Sequence, residues 1–180
     1  MRVIETKYAG VIFRSRLEAR WAVAFDVMGI NWSYEDEGYS FGGVNYLPDF
    51  VLTLADKRLF CEIKPRGETS NKINLMAEHY FKENPDDEWT SFTTLRQLLR
   101  PRDFNSFDDN DSFYEIRSRG WDNFRRFCSC RTCGRIGFEF EGRCDRMRCC
   151  LLRSDHDDHN RSLFDEKFMR AFETALSYRF

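Results

Sequence analysis

Asp49, Glu62 and Lys64 are the residues whose types and spacing could do chemistry. They lie on a stretch from Tyr46 to Pro65 that reads as two apolar, β-prone runs joined by Ala55-Asp56-Lys57-Arg58, the pattern of a hairpin. Asp49 falls near the start of the first strand, and Glu62 and Lys64 near the end of the second. Because strand side chains alternate faces, Glu62 and Lys64 share a face with Phe60, while Cys61 and Ile63 point the other way. Two carboxylates converging on one point repel each other, and a divalent cation coordinated by their oxygens relieves the repulsion. Such a cation can activate water and stabilise charge developing on a phosphate, with a lysine adding positive charge or positioning the nucleophile. The spacing therefore points to metal-assisted phosphodiester hydrolysis. A plain Lys64–Glu62 ion pair is the inert alternative.

The elements that must position these residues follow from periodicity and caps. Ser15 to Met28 reads as a helix: Ser15 and Glu18 have the form of a capping box, Leu17, Trp21, Ala24, Phe25 and Met28 recur at helical spacing, and Gly29 is placed to end it. Glu18 falls at the edge of that apolar stripe, where its carboxylate can look toward whatever the helix packs on. Ile30, Trp32 and Tyr34, then Tyr39 and Phe41, predict two short strands before Gly42-Gly43 turns the chain into the Tyr46 strand. Thr69 or Ser70 can cap a second helix with Ile73, Met76, Ala77 and Tyr80 on one side, ending before Asn84-Pro85. Phe92, Leu95, Leu98 and Leu99 are spaced for a short helix ending at Pro101. The acidic tract 103–111 reads as loop, and Phe113 to Ile116 as one more strand. Ser162 to Tyr178 reads as a final helix with Phe164, Phe168, Ala171, Phe172, Ala175 and Leu176 along one side.

Pro48-Asp49 followed after a hairpin by Glu62-Ile63-Lys64 resembles the signature of the PD-(D/E)xK nuclease superfamily. The Phe13 to Trp21 phrase, the Tyr34-Glu35 pair and the Tyr46-Leu-Pro-Asp-Phe phrase resemble a subgroup encoded by phages and other mobile elements; the likeness covers about the first 80 residues. The resemblance implies an α/β fold with a restriction-endonuclease-like core, a central mixed β-sheet flanked by helices. It implies that Asp49 and Glu62 bind Mg²⁺ or Mn²⁺ with the backbone oxygen of Ile63, that Lys64 is the catalytic lysine, and that Glu18 is the helix-borne acid. Glu18 is also readable as no more than the capping partner of Ser15, and Glu35 as a polar residue at a strand end. Arg14, Arg16 and Lys72 could contact phosphates.

Six of the seven cysteines crowd one segment, Cys128 to Cys150. Cys130-Arg-Thr-Cys133-Gly134 has the form of a zinc knuckle, in which a tight turn aims two thiolates at one ion and the glycine relieves backbone crowding. A strand-turn-strand is expected to follow, with Ile136, Phe138 and Phe140 alternating before Glu141-Gly142-Arg143, making a small zinc-ribbon-like module. Cys149 is the first choice for a third Zn²⁺ ligand, with Cys150 or His156 completing the set, against Cys128, Cys144 and His159; free thiols without metal are the alternative. Arg117 to Arg153 contains ten arginines against four acids. With Trp121, Phe124, Phe127 and Phe138 interleaved, the composition suits phosphate contact and base stacking, with Arg131, Arg135 and Arg143 as candidate contacts.

A chain of 180 residues suffices for one sizeable core and a small appended module. The divisions expected are a nuclease-like core over 1–118, a cysteine-rich module over 119–160 and a C-terminal helix over 161–180 that packs on the core. Eighteen phenylalanines and 32% charged residues exclude a disordered composition, and a formal charge of −2 puts any nucleic-acid footprint in a local patch. No secretion signal or membrane-length apolar run is evident, so a soluble cytoplasmic protein is expected, one that works inside an infected bacterial host if phage-encoded. The expected activity is a Mg²⁺- or Mn²⁺-dependent nuclease acting on nucleic acid, DNA favoured over RNA. The rivals are a non-catalytic zinc-containing nucleic-acid-binding module and a host-protein-binding protein acting through the 103–111 tract.

Overall fold

A computed structural model describes residues 4–55, 57–65, 68, 70–87, 89–96, 98, 114–117, 125–130, 133–140 and 166–180, with only the backbone at 114–117, 125, 126, 139 and 140. The elements in chain order are β1 (Thr6–Tyr8), β2 (Val11–Phe13), α1 (Arg16–Met28), β3 (Asn31–Tyr34), β4 (Tyr39–Phe41), β5 (Val44–Tyr46), β6 (Phe50–Thr53), β7 (Arg58–Ile63), α2 (Asn71–Glu83), β8 (Thr90–Leu95), β9 (Tyr114–Arg117), β10 (Arg125–Ser129), β11 (Ile136–Phe140) and α3 (Glu166–Ser177). The result is a mixed α/β architecture. A five-stranded sheet in the order β3-β6-β7-β8-β9 lies at its centre, antiparallel throughout except for the β7–β8 pair. That parallel pair needs a crossover, and α2 supplies it.

Alternation along β7 divides the core in two. Leu59, Cys61 and Ile63 join Phe50, Leu52 and Leu95 on the face covered by α1 and α3, where Trp21 packs against both Phe25 and Phe172. Phe60 and Phe92 stack on the opposite face beneath Ile73, Met76, Ala77 and Tyr80 of α2 and Tyr46 of β5. Glu62 lies on this second face near the end of β7 and is buried there.

The caps of α1 are those its sequence specifies. Ser15 Oγ accepts the Glu18 N–H at 3.2 Å, and Gly29 closes the helix in the left-handed region at φ 72°. At α2, Ser70 occupies the cap position without a side-chain hydrogen bond. Tyr46 begins no strand leading into Phe50: it ends the β4–β5 hairpin, a separate two-stranded sheet, and Leu47, Pro48 and Asp49 intervene before β6. The β1–β2 hairpin has no counterpart in the sequence reading.

Two expectations are corrected. Residues 90–95 form a strand where the spacing of Phe92, Leu95, Leu98 and Leu99 suggested a helix. Thr90, Thr93, Thr94 and Phe92 favour extended backbone, and β8 is buried along its whole length between two layers, so apolar residues serve both faces and the spacing loses its helical meaning. Phe92 and Leu95 duly enter opposite halves of the core. In the cysteine segment β11 pairs back onto β10, so Cys130 and Cys133 lie between these two strands, while the turn and strand expected after Phe140 lie outside the described residues. Phe127 and Phe138 are fully buried in the α1/α3 half of the core, with Phe127 against Phe168, and so are withheld from base stacking. Leu99, Pro101, the 103–111 tract, Trp121, Phe124, Phe164 and the start expected for the last helix lie outside the described residues.

Candidate functional site

The Asp49 carboxylate stands where the β6–β7 ladder ends. The last paired residues are Phe50 and Cys61, and Pro48 beyond them has no amide hydrogen with which to extend the ladder. Ile63 instead donates its N–H to Asp49 Oδ2 at 2.6 Å. Asp49 Oδ1 receives the Arg14 guanidinium at 2.6 Å, and the same nitrogen of Arg14 also pairs with Glu35. Glu35 reaches that position from a backbone in the left-handed region, φ 45°, while its N–H bonds to the Asp49 carbonyl at 3.2 Å. For a residue with a Cβ this conformation costs on the order of 1 kcal/mol or more, which the neighbouring contacts must offset.

Glu62 and Glu18 are each fixed by a tyrosine. Tyr46 donates to Glu62 Oε2 at 2.5 Å, and Lys64 Nζ lies 2.6 Å from Glu62 Oε1. Glu18 Oε1 accepts the Ser15 hydroxyl at 2.7 Å, and Oε2 accepts the Tyr34 hydroxyl at 2.5 Å and the Arg14 N–H at 3.1 Å. Glu18 is thus the capping partner of Ser15, with its reciprocal backbone bond moved one residue upstream. It is also part of the acidic cluster. The two readings of this residue are compatible because its two oxygens divide the work.

All three carboxylates are buried, and charge accumulates among them. Burial first, then the Glu62 carboxylate, push the Asp49 carboxyl up to about 7; Glu18 adds to the rise, while the Ile63 N–H and Arg14 oppose it. Burial acts against the Lys64 charge, but its bond to Glu62 and the negative charges of Glu62 and Asp49 outweigh that and raise its pKa. Burial and the Glu62 charge hold the Tyr46 phenol well above its ordinary value, so it remains a donor; burial and the bond to Glu18 do the same for Tyr34.

Hard oxygen donors in excess of compensating cations suit Mg²⁺ or Mn²⁺. Asp49 and Glu62 are the pair that would hold such an ion. Among the described residues no group of three or more Asp, Glu, His or Cys side chains is already arranged to hold a metal ion, and Tyr46, Tyr34, Lys64, Arg14 and the Ile63 N–H engage the carboxylate oxygens. Comparisons with family models, curated proteins and solved structures found no match.

The four acid and lysine positions singled out in the sequence are thus brought together. Ile63 participates through its N–H. Arg14 joins the site as an ion-pair partner, whereas Arg16 and Lys72 are exposed on their helices. Tyr46 and Arg14's contact with Asp49 were missed. A buried tyrosine needs an acceptor, and that was the available signal for Tyr46. Glu35 carried no such signal, since its backbone conformation is invisible in sequence.

In the cysteine turn, Gly134 N–H bonds to the Cys130 carbonyl and Cys130 N–H to the Arg135 carbonyl, both at 2.8 Å, and Gly134 adopts φ 70°. Cys128 and Cys130 are buried, and Cys133 and Arg135 exposed. Cys144, Cys149, Cys150, His156, His159, Arg131 and Arg143 lie outside the described residues. No helix among the described residues is long and apolar enough to cross a membrane.

Proposed function

We propose that the chain is a Mg²⁺- or Mn²⁺-dependent nuclease of the PD-(D/E)xK type that hydrolyses phosphodiester bonds, DNA ahead of RNA, on a restriction-endonuclease-like core. The observation that carries this reading is that buried Asp49, Glu62 and Glu18 lie close together near the end of β7 beside Lys64, where burial first and then the Glu62 and Glu18 charges raise Asp49 to about 7. The order α1, antiparallel strands, α2 and a parallel β8 supports it. So does the resemblance of the Phe13 to Trp21, Tyr34-Glu35 and Tyr46 to Phe50 phrases to a phage and mobile-element subgroup of that superfamily.

Bound at Asp49 and Glu62, the cation would polarise a phosphate oxygen and make a water more acidic. Tyr46 fixes Glu62 and Tyr34 fixes Glu18, so neither carboxylate needs to reorganise widely on binding. Lys64, kept charged by Glu62, sits beside the acids to neutralise phosphate and align the nucleophile. Zn²⁺ is assigned a structural role at Cys130 and Cys133, with Cys149 and Cys150 proposed as the other ligands. Exposed Arg135 gives that hairpin a cation for phosphate contact.

The test is cleavage of a panel of labelled single- and double-stranded DNA and RNA with Mg²⁺, Mn²⁺ or chelator, comparing wild type with Asp49→Asn and Glu62→Gln. Metal-dependent cutting lost in both variants is expected; undiminished cutting by both would sink the mechanism. The compact Cys130–Gly134 turn favours one second reading, a zinc-containing module that binds nucleic acid or a host protein without cutting. Binding indifferent to Mg²⁺ and Glu62, but lost on changing Cys130, would support it instead.

A further inference from the structure

Arg14 already occupies one oxygen of the candidate metal ligand Asp49 with positive charge. Its guanidinium contacts Asp49 Oδ1 at 2.6 Å and, through the same nitrogen, Glu35. The side chain that makes this bridge is 60% exposed, while that of Asp49 is 4% exposed. Its backbone, by contrast, is pinned by bonds from its N–H to Glu18 and Tyr34, both 3.1 Å. Only the side chain is therefore placed to move, and solvent lies beside it.

We propose that Arg14 is the resident counter-cation of Asp49, that a divalent metal binds by exchanging with it at Asp49 Oδ1, and that Glu35 holds the displaced guanidinium at the site. The inference rests on the metal-dependent reading above. A dication draws more strongly on the same carboxylate oxygens than a monocation whose charge is spread over a guanidinium, and an exposed arginine gives up little on leaving. Asp49 need not rotate, because Oδ2 stays with the Ile63 N–H while Oδ1 changes partner. Glu35 supplies an independent indication. A non-glycine residue is held at φ 45° with its carboxylate on Arg14, an arrangement its position at a strand end does not require. Once displaced, Arg14 is available to an incoming phosphate, so occupation of the metal site and readiness for substrate become coupled.

The experiment is calorimetric titration of the metal-free full chain with Mn²⁺, without nucleic acid, for wild type, Arg14→Gln, Glu35→Gln and the double variant, with Asp49→Asn defining the site. If exchange operates, Arg14→Gln tightens Mn²⁺ by about fivefold or more, because the competitor is gone. Glu35→Gln weakens it by leaving Arg14 wholly on Asp49, and this effect disappears in the Arg14→Gln background. Arg14→Lys, which keeps the charge but loses the planar fork, falls between wild type and Arg14→Gln. Equal effects of Glu35→Gln in both backgrounds would reveal through-space charge alone and overturn the exchange, as would unchanged affinity in Arg14→Gln. Absence of any Asp49-dependent Mn²⁺ binding in wild type would instead sink the metal-dependent reading and the exchange with it.

Discussion

Arg14, Glu18, Tyr34, Tyr46, Asp49 and Glu62 come from α1, β3, β5, β7 and the segments beside them, yet Arg14, Glu18, Tyr34 and Asp49 are joined by direct hydrogen bonds and an ion pair, as are Tyr46 and Glu62, whose charge acts on Asp49. Cys130, Cys133 and Gly134, by contrast, belong to a single turn whose geometry is local. The acidic site is assembled by the fold and exists because the sheet and both its covering layers exist. The cysteine turn owes its position to the flanking Phe127, Ile136 and Phe138, which anchor it in the core. One region depends on long-range register, the other on a short turn and an anchored hairpin.

The largest expected effect is on the assembled site. Glu62→Gln or Asp49→Asn should reduce cleavage up to about a thousandfold, with the thermal unfolding midpoint retained or raised. Next comes the hairpin: Phe138→Ala should cost about 3–5 kcal/mol in denaturant unfolding, because the removed ring leaves a cavity shared with Phe127. A loss confined to the hairpin, with the rest melting as wild type, would separate the two regions more sharply than the packing indicates.

A smaller effect follows from pH. The Asp49 carboxyl is raised from its unfolded value to about 7, so folding favours its protonated form. That contribution is fully present below pH ~4 and is lost as pH rises through 7, by at most about 4 kcal/mol. Metal-free protein should therefore lose stability across this window, and Asp49→Asn should flatten the decline. An equally steep decline in the variant would assign it to another group. The smallest effect is that of Tyr46→Phe, which should weaken Mn²⁺ binding by about tenfold in titration by freeing Glu62 from its phenol donor.

Much of the scaffold was legible in the sequence because α1 and α2 carry periodic apolar faces and α1 has matching caps, and because the β6–β7 hairpin has a polar break between β-prone runs. Asp49, Glu62, Lys64 and Glu18 followed from those elements. β8 was not legible: a strand buried on both sides has no alternation, and its Phe92–Leu95 spacing imitates a helix. β1 and β2 are too short to show a pattern. The Arg14–Glu35 bridge depends on a left-handed backbone at one residue and on contacts between segments distant in sequence, neither of which composition or spacing encodes.

The packing of α3 on α1 has a consequence for the order in which the molecule is made. Trp21 in an early helix meets Phe172 in a late one, with the whole central sheet translated between them. A nascent chain carrying Glu18, Asp49 and Glu62 would still lack the cover for one face of that helix, leaving apolar surface open to chaperones until synthesis passes α3. Contacts this distant along the chain also slow the search for the native state.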